Sequence, residues 1–118
     1  MAKVDLSSLS DIDGFLGACL VDSDSGMVLG KLGGGPVNLD LAAAGNTQVV
    51  RAKRKTMNSL NLKDKIEDIL ITLNKQYHVI RPLSKSEALF LYVVMDREKS
   101  NLALARHHIK GFENTFSL

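Results

Sequence analysis

The chain holds one cysteine in 118 residues. That excludes an internal disulfide framework and any zinc site built from several thiolates. Aromatic side chains make up 5% of the sequence, too few to furnish the stacking platform of a single-strand nucleic-acid binder. The formal net charge is +2, which by itself argues for neither nucleic acid nor an anionic membrane. Long apolar runs are also missing. The longest, Ala88 to Met95, falls far short of the roughly 18 to 20 residues that span a bilayer, so direct membrane insertion is not expected. The N-terminal stretch MAKVDLSSLSDID lacks the apolar core of a secretory signal. The expectation is a soluble, cytoplasmic protein.

What is present fits a globular chain. Hydrophobic residues make up 45% and charged residues 24%, an ordinary balance for a folded domain. A chain of this length buries roughly two thirds of its unfolded surface, so it can hold a core without metal or disulfides. We expect one domain over residues 1–118.

The apolar pattern gives an order of elements. Leu6, Leu9 and Ile12 recur three apart and predict a short helical turn over Asp5 to Asp13. FLGACLV, Phe15 to Val21, and ALFLYVVM, Ala88 to Met95, are apolar on both faces and predict central strands lying side by side or nearly so. Met27 to Leu32, Glu67 to Leu73 and Tyr77 to Leu83 predict three further strands, with the glycine-bearing and alternating ones toward the edges. Asn38, a plausible cap, opens a long helix to about Leu60. One arc of it carries Leu39, Ala42, Ala43, Val49, Val50, Met57 and Leu60; beside that arc runs a stripe of mostly small residues, Leu41, Gly45, Ala52 and Thr56. A last helix over Ser100 to Phe116 carries Leu102, Ala105, Ile109, Phe112 and Phe116 along one stripe. Five strands with helices on both faces predict a three-layer α/β sandwich.

The candidate sites are few. LVDSDSGMVLGKLGGG, residues 20 to 35, places Asp22, Asp24 and Gly26 together, but the glycine falls one position early for a helix–loop–helix calcium loop and Gly33 stands where the bidentate glutamate belongs. Gly33, Gly34 and Gly35 lie between strand and helix, yet no lysine and hydroxyl residue follow, as a phosphate-binding loop requires. The segment reads as a hairpin turn and a flexible crossover. Cys19 sits within an apolar strand and reads as core. His107 and His108 are helix neighbours, about 100° apart, and cannot readily share a metal. His78 reads as structural or surface. No nucleophile–base–orienter set stands out, so catalytic residues, metal ligands and cofactors are not expected. The basic run Arg51 to Lys55, extended by Lys63 and Lys65, presents Arg51, Arg54 and Lys55 on about a third of the helix circumference. It reads either as a solvated face or as a docking ridge for an acidic protein surface.

Taken together, the segment GACLVDSDSGMVLG, the helix opening LDLAAAG, the EDILITL…YHVIRPL…ALFLYVVMD ladder and the closing amphipathic helix resemble the Roadblock/dynein light chain family over about residues 5 to 116. The resemblance implies a profilin-like, five-stranded antiparallel sheet with one long helix on one face and two shorter helices on the other. It implies a homodimer whose third strands pair edge to edge and whose central helices pack together. It implies a noncatalytic regulatory or scaffold module, and bacterial and archaeal relatives bind small Ras-like GTPases. Two features of the sequence fit. Glu67 to Leu73 has no proline or lysine guarding an edge, and symmetric pairing removes that hazard. The Leu41, Gly45, Ala52, Thr56 stripe lets a second helix come close. The expected dimer interface is therefore Leu41, Gly45, Ala52, Thr56, Ile69, Ile71 and Leu73, and the expected partner surface is Arg51, Arg54 and Lys55. A small-ligand sensor on a similar sandwich is the alternative; it requires a closed apolar pocket.

Overall fold

The computed structural model describes residues 4–116. Its first element is a turn of 3₁₀ helix, Ser7–Asp11. A 3₁₀ helix has three residues per turn, so a spacing of three stacks Leu6, Leu9 and Ile12 on one side. All three are buried. The first of the expected short helices is thus a five-residue 3₁₀ turn, because a strict period of three drifts around an α-helix but not around this tighter one.

Five strands follow the predicted order: β1 (Phe15–Asp22), β2 (Val28–Gly33), β3 (Ile69–Thr72), β4 (Gln76–Pro82) and β5 (Leu89–Asp96). They form one antiparallel sheet ordered β2-β1-β5-β4-β3. The two doubly apolar strands, β1 and β5, are central neighbours, and β2 and β3 are the edges, as the apolar pattern predicted. Alternate residues of the central strands feed two cores. One gathers Ala18, Leu20, Leu91, Val93 and Met95 with Leu9 of the 3₁₀ turn and with Ala105, Ile109 and Phe112. The other gathers Cys19, Val21, Phe90, Tyr92 and Val94 with Leu39, Ala43 and Val50.

The long helix α1 spans Leu39–Ser59, and the Asn38 side chain caps it by accepting a hydrogen bond from the Leu41 amide at 3.1 Å. Its buried residues are Leu39, Ala43, Thr47 and Val50. The inner face is rotated from the predicted arc: Val49 and Leu60 are 38% and 63% exposed, while Thr47 is inside. Thr47 is tolerated there because its hydroxyl donates to the Ala43 carbonyl at 2.7 Å, so no polar group is left unmet. Helix α2 spans Leu102–Thr115, capped by Asn101, and buries Ala105, Ile109 and Phe112 as its spacing predicted. Between α1 and β3 the chain is irregular, and the strand expected from Glu67 starts at Ile69.

Candidate functional site

The residues expected to mediate pairing lie on two neighbouring elements. β3 pairs inward with β4 through Ile69↔Ile80, Leu70↔Val79, Ile71↔His78 and Thr72↔Tyr77, and has no strand on its outer side among the described residues. Ile69 and Ile71 are half-buried and pack on the core that α1 covers. Leu73 falls outside the strand; its amide donates to the Gln76 carbonyl at 2.9 Å to close the hairpin, and its side chain is 42% exposed. The start of β3 is tied down from the other face, where Arg106 of α2 donates to both carboxylate oxygens of Asp68 at 2.9 and 3.0 Å.

On α1 the small-residue stripe faces outward. Leu41 is 71% exposed, and Gly45, Ala52 and Thr56 are exposed with it. The Thr56 hydroxyl donates back to the Ala52 carbonyl at 3.0 Å. A side chain at Gly45 would meet nothing within 4 Å. Nothing inside the protomer therefore asks for glycine there, although glycine in a helix interior costs about 1 kcal/mol relative to alanine.

Two members of the basic run are bonded within the protomer. Arg51 donates through Nε to the Ser23 carbonyl at 2.9 Å and through a terminal nitrogen to the Asp24 carbonyl. Arg54 donates to the Glu87 carbonyl at 2.7 Å. Two of the three proposed ridge cations thus clamp the β1–β2 and β4–β5 turns onto α1. Lys55 is exposed and makes no hydrogen bond or ion pair among the described residues. The loops that raised the calcium and phosphate readings are also structural. Asp22 accepts from the Asp24 amide at 2.9 Å, and Gly26 turns the chain at φ +78. Gly33, Gly34 and Gly35 all have positive φ, and Gly34 passes so close to β1 that a Cβ on Gly17 would lie 2.5 Å from its nitrogen. That run is a crossover fitted to glycine.

Three polar arrangements had no sequence signal, since each joins residues from distant segments. The first is a buried ion pair, Arg81 Nε to Glu113 Oε1 at 2.6 Å, with the Ser84 amide and hydroxyl donating to Oε2 at 2.6 and 2.7 Å. Burial pushes the Glu113 carboxyl up, but the Ser84 hydrogen bonds, then the Arg81 hydrogen bond and charge, outweigh it and hold the group below its ordinary range. The second is an open cleft of about 400 Å³ beside this pair, lined by Met57, Ile66 and Pro82 but also by Arg54, Lys65 and Glu87. It is not the closed apolar pocket that the sensor reading requires. The third runs behind β3. The Tyr92 hydroxyl lies 2.9 Å from His78 Nδ1, and His78 Nε2 lies 2.8 Å from Gln76 Oε1. Burial lowers the His78 ring below its ordinary pKa and raises the Tyr92 hydroxyl. Cys19 is buried as expected, and burial, then the charge of Asp40, push its thiol up to about 12. His107 is exposed, while His108 Nε2 meets the Ser8 carbonyl at 2.9 Å.

This architecture is that of a Roadblock/LC7 domain. The chain superimposes on a Roadblock/LC7 domain from Streptomyces avermitilis with a TM-score of 0.79 at 16% identity, covering 92% of this chain and 88% of that one. It is similar to MglB of Myxococcus xanthus (TM-score 0.78, 17% identity, 90% and 83% covered). It is also similar to the gliding protein MglB of Thermus thermophilus (TM-score 0.78, 19% identity, 92% and 79% covered). At such identities the likeness establishes the fold. No family model matches the sequence, and no curated protein does either. No helix among the described residues is long and apolar enough to cross a membrane.

Proposed function

We propose that the chain is a noncatalytic, cytoplasmic Roadblock module of one domain. It forms a homodimer and acts as a scaffold or regulator for a small Ras-like GTPase or a related signalling partner. The observation that carries this reading is an open strand edge, together with an outward stripe of small residues on the helix that covers the same core. An edge strand with an apolar face is a hazard unless it is paired. Two-fold pairing at β3 joins Ile69 and Ile71 of two copies, with Leu73 at the margin, and lets α1 meet its symmetry mate across Leu41, Gly45, Ala52 and Thr56. The two cores support α1 on one face of the sheet, with the 3₁₀ turn and α2 on the other, which leaves the α1 face for self-association. The fold shared with MglB supports the regulatory side of the reading.

Arg51 and Arg54, bound to turn carbonyls, are poorly placed to reach into a nucleotide site. The module would bias the partner's switch segments rather than supply a catalytic arginine, and Lys55 is the ridge cation best placed to meet an acidic surface. Sedimentation equilibrium at micromolar concentration tests the dimer: a folded single subunit overturns it. Capture of Ras-like proteins from native extract, with and without a nonhydrolysable GTP analogue, tests the partner. Recovery of none in either arm removes the GTPase from the reading.

A further inference from the structure

Behind β3, a run of hydrogen bonds joins β5 to β4 in one direction. Gln76 Oε1 can only accept, so the His78 ring hydrogen sits on Nε2 and donates to it at 2.8 Å. Nδ1 is then the acceptor for the Tyr92 O–H at 2.9 Å. The His78 and Tyr92 rings meet edge-on, with centroids 5.4 Å apart and planes at 83°. Each donor along this path has one acceptor. A second ring proton, on Nδ1, would face the Tyr92 hydroxyl hydrogen, so the hydroxyl would have to turn away and give up its acceptor.

The position of the ring gives this path a consequence. His78 is cross-paired with Ile71 of the open edge and with Val94 of β5, and is half-buried one strand inside the edge, on the side that α1 covers. β3 faces it with Ile69 and Ile71, neither of them charged. From β5 come Tyr92 and, two positions past Val94 in the same register, Asp96, whose Oδ1 accepts from the Glu98 amide at 3.0 Å. From α1 come Asn46 and, two turns further along the same flank, Lys53. Beyond Tyr92 lies the Cys19 thiol, which burial keeps neutral. Both ring nitrogens are therefore held by uncharged partners, and no carboxylate is bonded to the ring to favour a proton.

We propose that protonation of His78 weakens self-association of this chain, by breaking the Tyr92–His78–Gln76 path beneath the seam where the second copy seats. The inference rests on the dimer reading above. Seating a second copy on the Ile69 and Ile71 edge strips further water from the ring and opposes its charged form. The dimer then binds fewer protons than two separate subunits, so dissociation rises as pH falls. The depressed ring pKa in the protomer agrees with this direction.

Sedimentation equilibrium of the full chain at pH 7.5, 6.5 and 5.5 tests it. Two rings per dimer can change the dissociation constant by up to about 100-fold per pH unit; we expect a rise of at least about tenfold across the range. His78→Gln should dimerise at pH 7.5 and lose the response, whereas His107→Gln should keep it. Tyr92→Phe removes the hydroxyl that occupies Nδ1 and should move the midpoint upward; should His78→Gln fail to fold, this near-isosteric variant decides, and an unmoved midpoint overturns the proposal. A pH-independent dimer, or an unchanged response in His78→Gln, overturns the switch and leaves the dimer standing. A folded monomer at pH 7.5 overturns the dimer reading and the switch with it.

Discussion

Arg81 Nε lies 2.6 Å from Glu113 Oε1, and both side chains are at least nine-tenths buried. Arg81 belongs to β4 and Glu113 to the last turns of α2, so the pair fastens the closing helix to the sheet beside the β4–β5 turn. The full hydrogen-bonding of the carboxylate is what allows two charges there, since an ion pair taken out of water gains little unless its remaining lone pairs are met.

Removing one partner strands the other. Glu113→Ala should cost about 3–5 kcal/mol, read as a shift in the urea midpoint at constant slope. Replacing both residues by apolar side chains of similar volume should recover much of that loss. The pH dependence follows from the depressed carboxyl. Its folded-state pKa lies below its ordinary 4.5, so its contribution is complete above that value and is lost as pH falls through the folded-state pKa. Wild type should lose stability faster than Glu113→Gln on acidification below pH 4.5; parallel acid profiles would show the pair to be unimportant.

Two helix glycines separate the protomer from the dimer. A Cβ at Gly111 or at Gly45 meets nothing within 4 Å. Alanine at either site should therefore raise protomer stability by about 1 kcal/mol. Gly111→Ala should do so without changing self-association. Gly45→Ala should stabilise the protomer yet weaken the dimer, because the added methyl holds the second α1 away. Equal sedimentation behaviour of the two variants would remove Gly45 from the interface.

The basic run allows a similar separation. Arg51 and Arg54 are bound to the Ser23, Asp24 and Glu87 carbonyls, whereas Lys55 is not so engaged. Arg51→Ala should speed amide hydrogen exchange around Asp24 to Gly26 while leaving most of the fold protected. Lys55→Glu should leave stability within about 0.5 kcal/mol, as surface changes usually do, and reduce capture of an acidic partner. Loss of capture on Arg51→Ala alone would trace to a loosened turn and not to a lost contact.

How much was legible depended on the distance over which each feature is encoded. β1 and β5 were readable as central because Phe15 to Val21 and Leu89 to Met95 are apolar at every non-glycine position, and the edges followed because β2 and β3 carry glycine, lysine or threonine. The 3₁₀ turn was readable in its spacing. The inner face of α1 was misread at Val49 and Thr47, since a hydroxyl that bonds its own helix backbone can be buried while a valine beside it stays out. The roles of Arg51 and Arg54 were hidden because their partners are backbone carbonyls, which carry no side-chain signal. Arg81–Glu113, Asp68–Arg106 and the His78 path each join residues from separate elements, and only the fold brings them together.

The crossover after β2 offers a test that is independent of assembly. Gly17 sits in β1 with Gly34 against it, and a Cβ at Gly17 would lie 2.5 and 2.6 Å from the nitrogen and Cα of Gly34. Those atoms are backbone and cannot swing aside as a flexible side chain would. Gly34 is itself at φ +120, a conformation that favours glycine, and its amide donates to the Leu16 carbonyl at 2.8 Å. Gly17→Ala should therefore push the crossover off β1, break that hydrogen bond and cost about 1–3 kcal/mol, the usual range for overpacking. The loss should show in thermal unfolding as a lowered midpoint. Hydrogen exchange should place it at Gly34 and the start of α1, where the crossover delivers Asn38 to its capping position. A variant as stable as wild type, with Gly34 still protected, would mean that the close approach is not required for the crossover.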